Sequence, residues 1–409
     1  MEPATVQLTA MAHGGAALGR IDRKAVFVPY ALPGERVRIA ITDDRGRYAF
    51  ARVLDVLEPS PSRVEPPCPY FGISGCGGCQ WQHIDYATQV QLKADVLADQ
   101  LSRIGGIEDA LVLSPLADST GWEYRNRARF HPAGDAGLGY RKVGGEEVVA
   151  VRECPVLRPM LNDTYAALDI DLEGLRSLTL RAGATLDDQL LLFEMADDGP
   201  PGLEVDLPVS CALLRSDGRL QSLIGRDYIT ESVGGFSYRV TGPAFFQANT
   251  EQSDHLVRAV LEQLEPGRAD VVVDAYCGVG LFTAPLAQQA ALVIGIEADP
   301  YAVEDLIENT SCCDNVETIE GPVEAALPDL KATIDAAVVD PPRTGLDRFA
   351  LDALVAHRPT RIAYVSCDAA TLARDAKRLA QAGYTLQLVQ PIDMFPQTYH
   401  IEAVALFVD

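Results

Sequence analysis

Val271-Val-Val-Asp-Ala-Tyr-Cys-Gly-Val-Gly280 begins as an apolar, β-branched run and ends in Gly-x-Gly ahead of a helical pattern. A buried strand running into a glycine turn is how an open α/β sheet cradles a nucleotide cofactor, because glycine lets the backbone approach a ligand and adopt positive φ. A lone Gly-x-Gly is a weak signal, but two further apolar runs end in acidic residues. Ile294-Gly-Ile-Glu297 lies seventeen residues past Gly280, and Val338-Val-Asp340 precedes Pro341-Pro342-Arg343. Glu297 is placed to accept hydrogen bonds from ribose hydroxyls. Asp340 is placed at the carboxyl edge of the sheet, where ligands bind. The third glycine of a dinucleotide fingerprint and a Walker lysine are both missing. Acidic strand ends suit a cationic cofactor instead, such as S-adenosylmethionine with its sulfonium and amino groups.

The same texture runs through the C-terminal part. Residues 292–297, 336–339, 361–366 and 403–408 read as buried strands, and 252–264 and 372–382 as amphipathic helices. That alternation predicts a Rossmann-like, doubly wound domain over residues 241–409. Residues 1–60 instead alternate short apolar runs (6–9, 25–28, 36–42 and 49–57) with the turns Gly14-Gly15, Pro33-Gly34 and Arg45-Gly46. Their natural package is a small OB-like β-barrel. Pro59, Pro61, Pro66 and Pro67 stiffen the linker that follows. Residues 61–240 read as a β-rich central domain. It opens with a Cys/Gly-rich stretch and a helical pattern over 86–104 that is free to pack on the catalytic domain.

The apolar fraction of 48% and charged fraction of 22% are those of an ordinary globular chain. No apolar run is long enough to span a membrane, and residues 1–19 lack the features of a secretory signal. A cytoplasmic monomer is expected. A net charge of −24, if evenly spread, would argue against a polyanionic partner. It is not evenly spread: residues 1–160 carry 18 Lys+Arg against 19 Asp+Glu, while residues 161–409 carry 16 against 39. Any nucleic acid is therefore expected on the N-terminal part, where Arg125, Arg127 and Arg129 form the densest basic stretch, with Arg141 and Lys142 behind. The acidity of the remainder fits a chain kept soluble in a salt-rich cytoplasm.

Tyr364-Val-Ser-Cys-Asp368 ends one apolar run with a cysteine, and His400-Ile-Glu402 opens the last with a glutamate. A cysteine at a strand end is ordinarily a small core residue. Beside a carboxylate and a cofactor turn it points to carbon methylation through a covalent adduct. C5 of uracil is a poor nucleophile. A thiolate adding to C6 makes an enolate that takes a methyl group, and a base then removes the C5 proton so that the thiolate can leave. Cys367 is the candidate thiolate, expected to be stabilised by the helix that starts after it, and Glu402 is the candidate base. Cys277, inside the cofactor turn, reads as wall.

Nine cysteines, an odd number, favour metal and catalytic roles over a disulfide framework. Cys68-x7-Cys76-x2-Cys79, with Cys154-Pro155 far downstream, is a four-thiolate set that suits an iron–sulfur cluster or zinc. Proline after the last cysteine favours the cluster. Zinc ribbons usually pair Cys-x2-Cys twice, and here the fourth cysteine stands alone. The spacing of radical S-adenosylmethionine enzymes is absent.

The strings Phe245-Phe-Gln-Ala-Asn249, Asp274-Ala-Tyr-Cys-Gly-Val-Gly280, Asp340-Pro-Pro-Arg343, Ser366-Cys-Asp368 and His400-Ile-Glu402 resemble the RNA uracil-5 methyltransferase family. With the N-terminal barrel, which resembles a TRAM module, they are most similar to its iron–sulfur-containing 23S rRNA members. The resemblance spans essentially the whole chain. It implies methyl transfer from S-adenosylmethionine to C5 of a uridine in RNA, ribosomal RNA before transfer RNA, with Cys367 as nucleophile and Glu402 as base. It implies cofactor contacts from Gln247, Tyr276, Glu297 and Asp340, joined by the turn glycines Gly278 and Gly280. It also implies a [4Fe-4S] cluster on Cys68, Cys76, Cys79 and Cys154, although the first gap carries two extra residues, Ile73-Ser74. Three further departures stand out. Leu281 replaces a common asparagine, Pro322 falls near a polar cofactor contact, and Asp368-Ala369 replaces the commoner Asn-Pro. The target uridine has to be flipped out of its stack. Phe245 offers it an aromatic face, and Arg125, Arg129 and Arg343 offer phosphate contacts. Two other readings compete. An RNA cytosine-C5 methyltransferase is disfavoured because Ser366 precedes the cysteine where that chemistry usually has proline. An RNA-binding or folding factor with an idle methyltransferase fold is disfavoured by the intact Cys367 and Glu402.

Overall fold

The computed structural model describes residues 3–202 and 206–409. Strands β1 (Ala4–Met11), β2 (Ala17–Ile21), β3 (Lys24–Val28), β4 (Arg36–Asp44) and β5 (Tyr48–Glu58) close into a barrel of order β1-β2-β3-β5-β4. Alternation along the strands gathers Val6, Leu8, Val26, Val28, Val37 and Ile39 into one apolar core. Helix α1 (Tyr86–Gln100) is capped by the Asp85 side chain, which accepts from the Thr88 amide at 3.0 Å, and it runs out in one π turn over Leu101–Gly105.

The central region holds β6 (Arg127–Pro132), β7 (Leu138–Arg141), β8 (Val148–Ala150), α2 (Pro159–Ala167), β9 (Leu175–Ala182), β10 (Gln189–Met195), β11 (Ser210–Leu214) and β12 (Leu220–Ile224). Its strands form one sheet of order β12-β11-β10-β9-β6-β7-β8, followed by a separate hairpin of β13 (Tyr228–Val233) and β14 (Phe236–Thr241).

The C-terminal part alternates α3 (Thr250–Leu264), β15 (Val271–Ala275), α4 (Thr283–Ala287), β16 (Leu292–Glu297), α5 (Pro300–Asn309), β17 (Val316–Glu320), α6 (Val323–Ala326) and β18 (Ala336–Val339). It continues through α7 (Arg348–His357), β19 (Arg361–Ser366), α8 (Ala369–Gln381), β20 (Thr385–Ile392) and β21 (Glu402–Val408). The sheet order is β17-β16-β15-β18-β19-β21-β20. All its pairings are parallel except those of β21, which runs antiparallel to both β19 and β20. The winding reverses between β15 and β18, and the crevice at that switch point is where such sheets bind ligands.

Helix α1 belongs to the outer layer of this sheet. Its apolar face (Leu92, Val96, Leu97, Leu101) shares a core with Leu372, Ala373 and Ala376 of α8. The contact is stitched by buried polar pairs: Lys93 Nζ donates to Asp393 at 2.6 Å, and Gln89 Nε2 to Gln397 at 2.9 Å. Val112 and Leu116 continue along the sheet by bridging to Val389 and Ile392 of β20.

Candidate active site

The glycine turn after β15 folds back on β16. The amides of Tyr276 and Cys277 both donate to the Ile296 carbonyl, at 2.9 and 3.1 Å. Tyr276 takes a φ of 64° and Gly280 one of 95°, and a Cβ on Gly280 would stand 2.7 Å from the Leu306 side chain. Glycine there is a packing requirement. Cys277 is buried in the wall, with its thiol against Gly295. The turn borders a cavity of about 670 Å³ lined by Tyr276, Glu297, Pro322, Thr344 and Arg374 among others. Glu297 is oriented by backbone amides: Oε2 accepts from Gly278 at 2.9 Å, and Oε1 from Ala298 and Asp299 at 2.7 and 2.8 Å. Three of its four lone pairs are thereby used, leaving less for a ribose than the sequence suggests. Gln247 is buried, its carbonyl accepting from Asn126 Nδ2 at 3.0 Å, and it is not part of that cavity's lining.

Acidic groups dominate the crevice. Asp274 is fully buried, with one oxygen accepting from Thr283 Oγ1 at 2.6 Å and the other without a partner. Burial, with the charge of Glu297 added, pushes it up to about 7. Burial and the charges of Asp274 and Glu297 push Asp340 to about 7 as well. A pocket whose carboxyls repel one another is one that a cation relieves. Asp274 did not stand out in the sequence as a site residue. The turn motif contains it, but only its burial without a second partner marks it.

The reversed direction of β21 brings Cys367 and Glu402 to the same end of the sheet. Ser366 of β19 pairs with Ala403 of β21 at the last rung of the ladder, and Cys367 and Glu402 are the residues next to that rung on the two strands. Glu402 is only 3% exposed. Burial and the nearby Asp340 raise it well above the carboxylate range, and Arg343 opposes them. Cys367 is half-buried and pushed up to about 12, first by burial and then by Glu402 and Asp340, with Arg343 again opposing. The expected stabilisation of a thiolate by the helix start is therefore not found. The N-cap of α8 is Asp368, whose carboxylate already takes the Ala370 and Thr371 amides at 3.0 and 2.9 Å. A cavity of about 180 Å³ opens over Cys367, walled by Arg343, Tyr399 and His400 and, from the barrel, by His13 and Gly14. His400 is drawn down to about 4, mainly by burial and then by Arg343, and is neutral. The barrel's share in this wall has no signal in the sequence.

The expected RNA contacts fall in different places. Phe245 is 63% exposed, whereas Phe246 is buried against Tyr238. Arg343 is exposed at the mouth of the Cys367 cavity. Arg129 is exposed but paired with Glu194 at 2.8 Å. Arg125 is turned inward: it is half-buried, its Nε has no partner, and it lies beside Tyr124, Tyr140, Cys79 and Cys154. Asn126 is structural, donating to Glu231, Gln247 and Thr250.

The four cysteines lie near enough between the linker and the central sheet for the Cys154 charge to be felt by the other three. Burial pushes Cys76 to about 11 and Cys79 to about 12, and the Cys154 charge adds to both and to Cys68. Among the described residues no three His, Cys, Asp or Glu side chains are drawn together as a metal sphere. The donor set nevertheless contains only soft thiols. Tyr30 Oη and Gln82 Oε1 are buried next to it without partners.

Comparison with known proteins agrees along the chain. Residues 4–54 match the TRAM domain family, and residues 327–408 match the family described as tRNA (Uracil-5-)-methyltransferase. An uncharacterized RNA methyltransferase of Thermosynechococcus vestitus is 35% identical over 98% of this chain and 98% of its own length. One from Aquifex aeolicus is 33% identical over 99% and 98%. The crystal structure of Pyrococcus abyssi tRNA (uracil-54, C5)-methyltransferase, in complex with S-adenosyl-L-homocysteine, shares the fold. Its TM-score is 0.76 at 24% identity, over 98% of this chain and 100% of that one.

Proposed function

The chain belongs to the RNA (uracil-5-)-methyltransferase family, and from that membership we propose that it methylates C5 of a uridine through an adduct on Cys367, with Glu402 as base. The observation that supports the reading is that the β19–β21 ladder ends at Ser366 and Ala403, immediately beside Cys367 and Glu402, and that the Glu402 charge is felt by the Cys367 thiol. Asp340 joins that pair to the acidic cofactor cavity, because its charge is felt on both sides. S-adenosylmethionine would bind in that cavity and supply the methyl group. Glu297, in the cavity's lining, would hold and orient it together with Asp340, and Asp274 would support them through its charge. Burial and neighbouring carboxylates favour the protonated forms of Cys367 and Glu402. Each has to give up its proton before it reacts, and Arg343 biases both toward ionisation. Once its proton has been released to solvent, the Cys367 thiolate would bond to C6, and the C5–C6 electron pair would move into the ring as an enolate that takes the methyl group at C5, leaving S-adenosyl-L-homocysteine. Glu402, ionised in the same way, would accept the C5 proton, and re-formation of the double bond would expel the thiolate.

Cys68, Cys76, Cys79 and Cys154 would hold a [4Fe-4S] cluster, with zinc as the lesser alternative. The methyl transfer needs no electrons, so its role is to shape the surface beside the central sheet. Ribosomal RNA is the favoured substrate, and transfer RNA is the alternative. The setting we propose is a cytoplasmic monomer. Among the described residues no helix is long and apolar enough to cross a membrane. The deciding experiment incubates the protein with labelled S-adenosylmethionine and RNA containing 5-fluorouridine. A trapped protein–RNA adduct that disappears in Cys367→Ala is expected. No adduct on ribosomal or transfer RNA would favour a binding factor with an idle fold. Mapping methylated uridines in cells with and without the chain then identifies the RNA.

A further inference from the structure

The loop between β1 and β2 leaves the barrel and ends in the active site. Trp81 Nε1 donates to the Gly15 carbonyl at 3.1 Å, and Gly15, at a φ of 83°, lies so close to Tyr399 that a Cβ would stand 2.6 Å from it. Pinned in this way, the loop puts His13 and Gly14 in the wall of the Cys367 cavity. His13 Nε2 lies 3.1 Å from Asp368 Oδ2, while Asp368 Oδ1 caps α8. His13 also borders a second cavity of about 450 Å³ between the barrel and the end of α1, with Arg20, Phe27 and Arg103 on its walls. One barrel side chain therefore borders both the Cys367 cavity and an outward groove lined by Arg20, Phe27 and Arg103, the last paired with Asp99 at 3.4 Å.

We propose that His13 is a positioning residue of the methylation site, latching the barrel loop over Cys367 through Asp368 and steering the RNA strand beside the target uridine from the groove into the cavity. The proposal rests on the methyltransferase reading above. His13 touches none of the reacting groups named there, so it acts on RNA capture and leaves the chemical step alone. The groups that face it from the cavity are Asp368, Arg343, Cys367 and His400, and those from the groove are Arg20, Asp99 and Arg103. The hydrogen bond with Asp368 raises the His13 pKa more than burial lowers it. A histidine raised in this way is charged, and the latch closed, below its ordinary pKa. Both are lost as pH rises through the raised value.

The test is methylation by the full-length protein, with labelled S-adenosylmethionine and total RNA from cells lacking this chain as the probe. His13→Ala is expected to raise the apparent KM for RNA about five-fold, as fits one partly exposed ion pair, with kcat changed by less than about two-fold. The wild-type KM should climb with pH while that of His13→Ala stays flat. Asp368→Asn keeps the helix cap, should raise KM in the same direction, and should add nothing to His13→Ala. A KM for His13→Ala equal to wild type at every pH, or a loss confined to kcat, overturns the proposal and leaves the methyltransferase reading standing. A wild-type protein that methylates none of the RNA overturns both.

Discussion

Replacing Asp274 by asparagine should change how stability depends on pH. The carboxyl sits fully buried on β15, bonded to Thr283 through one oxygen only. Burial and Glu297 raise it from 3.8 to about 7. Between those values the unfolded chain has released the proton while the folded protein keeps it. The folded state is thus favoured at low pH, and this contribution is lost as pH rises to about 7. The rise corresponds to about 4 kcal/mol in all at about 1.4 kcal/mol per pKa unit, of which about 2.5 kcal/mol falls between pH 5 and pH 8. Asparagine releases no proton over that range. The unfolding free energy of Asp274→Asn relative to wild type should therefore improve by about 2.5 kcal/mol from pH 5 to pH 8. Fixed costs, such as an unpartnered amide worth about 1–3 kcal/mol, cancel in that comparison. Urea unfolding at both pH values, followed by the fluorescence of Trp81, reads the relevant core, because Trp81 is buried with Val273 and Ala275. A difference that stays constant with pH, or moves in favour of wild type, would refute the reasoning.

Glu402→Gln should slow turnover about 10²–10⁴-fold, the usual worth of a general base, and should leave the protein–RNA adduct intact on a denaturing gel because C5 cannot shed its proton. Phe245→Ala should cost about 1–3 kcal/mol of RNA affinity in a binding titration, with no change in melting temperature. Its neighbour Phe246→Ala should cost about 3–5 kcal/mol of stability in urea unfolding. Lys93→Ala leaves Asp393 charged and buried alone, and should destabilise by about 3–5 kcal/mol in the same assay. Lys93→Met combined with Asp393→Leu should recover most of that loss.

The parallel sheet was legible because its strands are continuous apolar runs ended by Gly-x-Gly, Glu297 and Asp340. Strands β17 and β20 escaped notice. Val316–Glu320 alternates with glutamates, and Thr385–Ile392 is interrupted by Gln387, Gln390 and Pro391, so neither reads as a buried run. In the barrel β2 escaped for a similar reason, having Gly19 and Arg20 within five residues. Cys367 and Glu402 were legible only as residue types at strand ends. What brings those residues together is the antiparallel sense of β21, which local periodicity does not encode. Arg125 looked like part of a basic strip because sequence shows spacing and hides facing. Its guanidinium turns inward to the thiols while Arg129 turns outward to Glu194.

Strand β21, which carries Glu402, is inserted between two strands that precede it in the chain. Helix α1 likewise finds its apolar partner, α8, only about 270 residues after it has been synthesised. At about 5–20 residues per second the nascent chain trails a sticky, unshielded helix for tens of seconds. The barrel can close early, yet the crevice it overhangs stays open until β21 has been made. A chain cut short before β21 would thus lack Glu402 and be a ready client for chaperones.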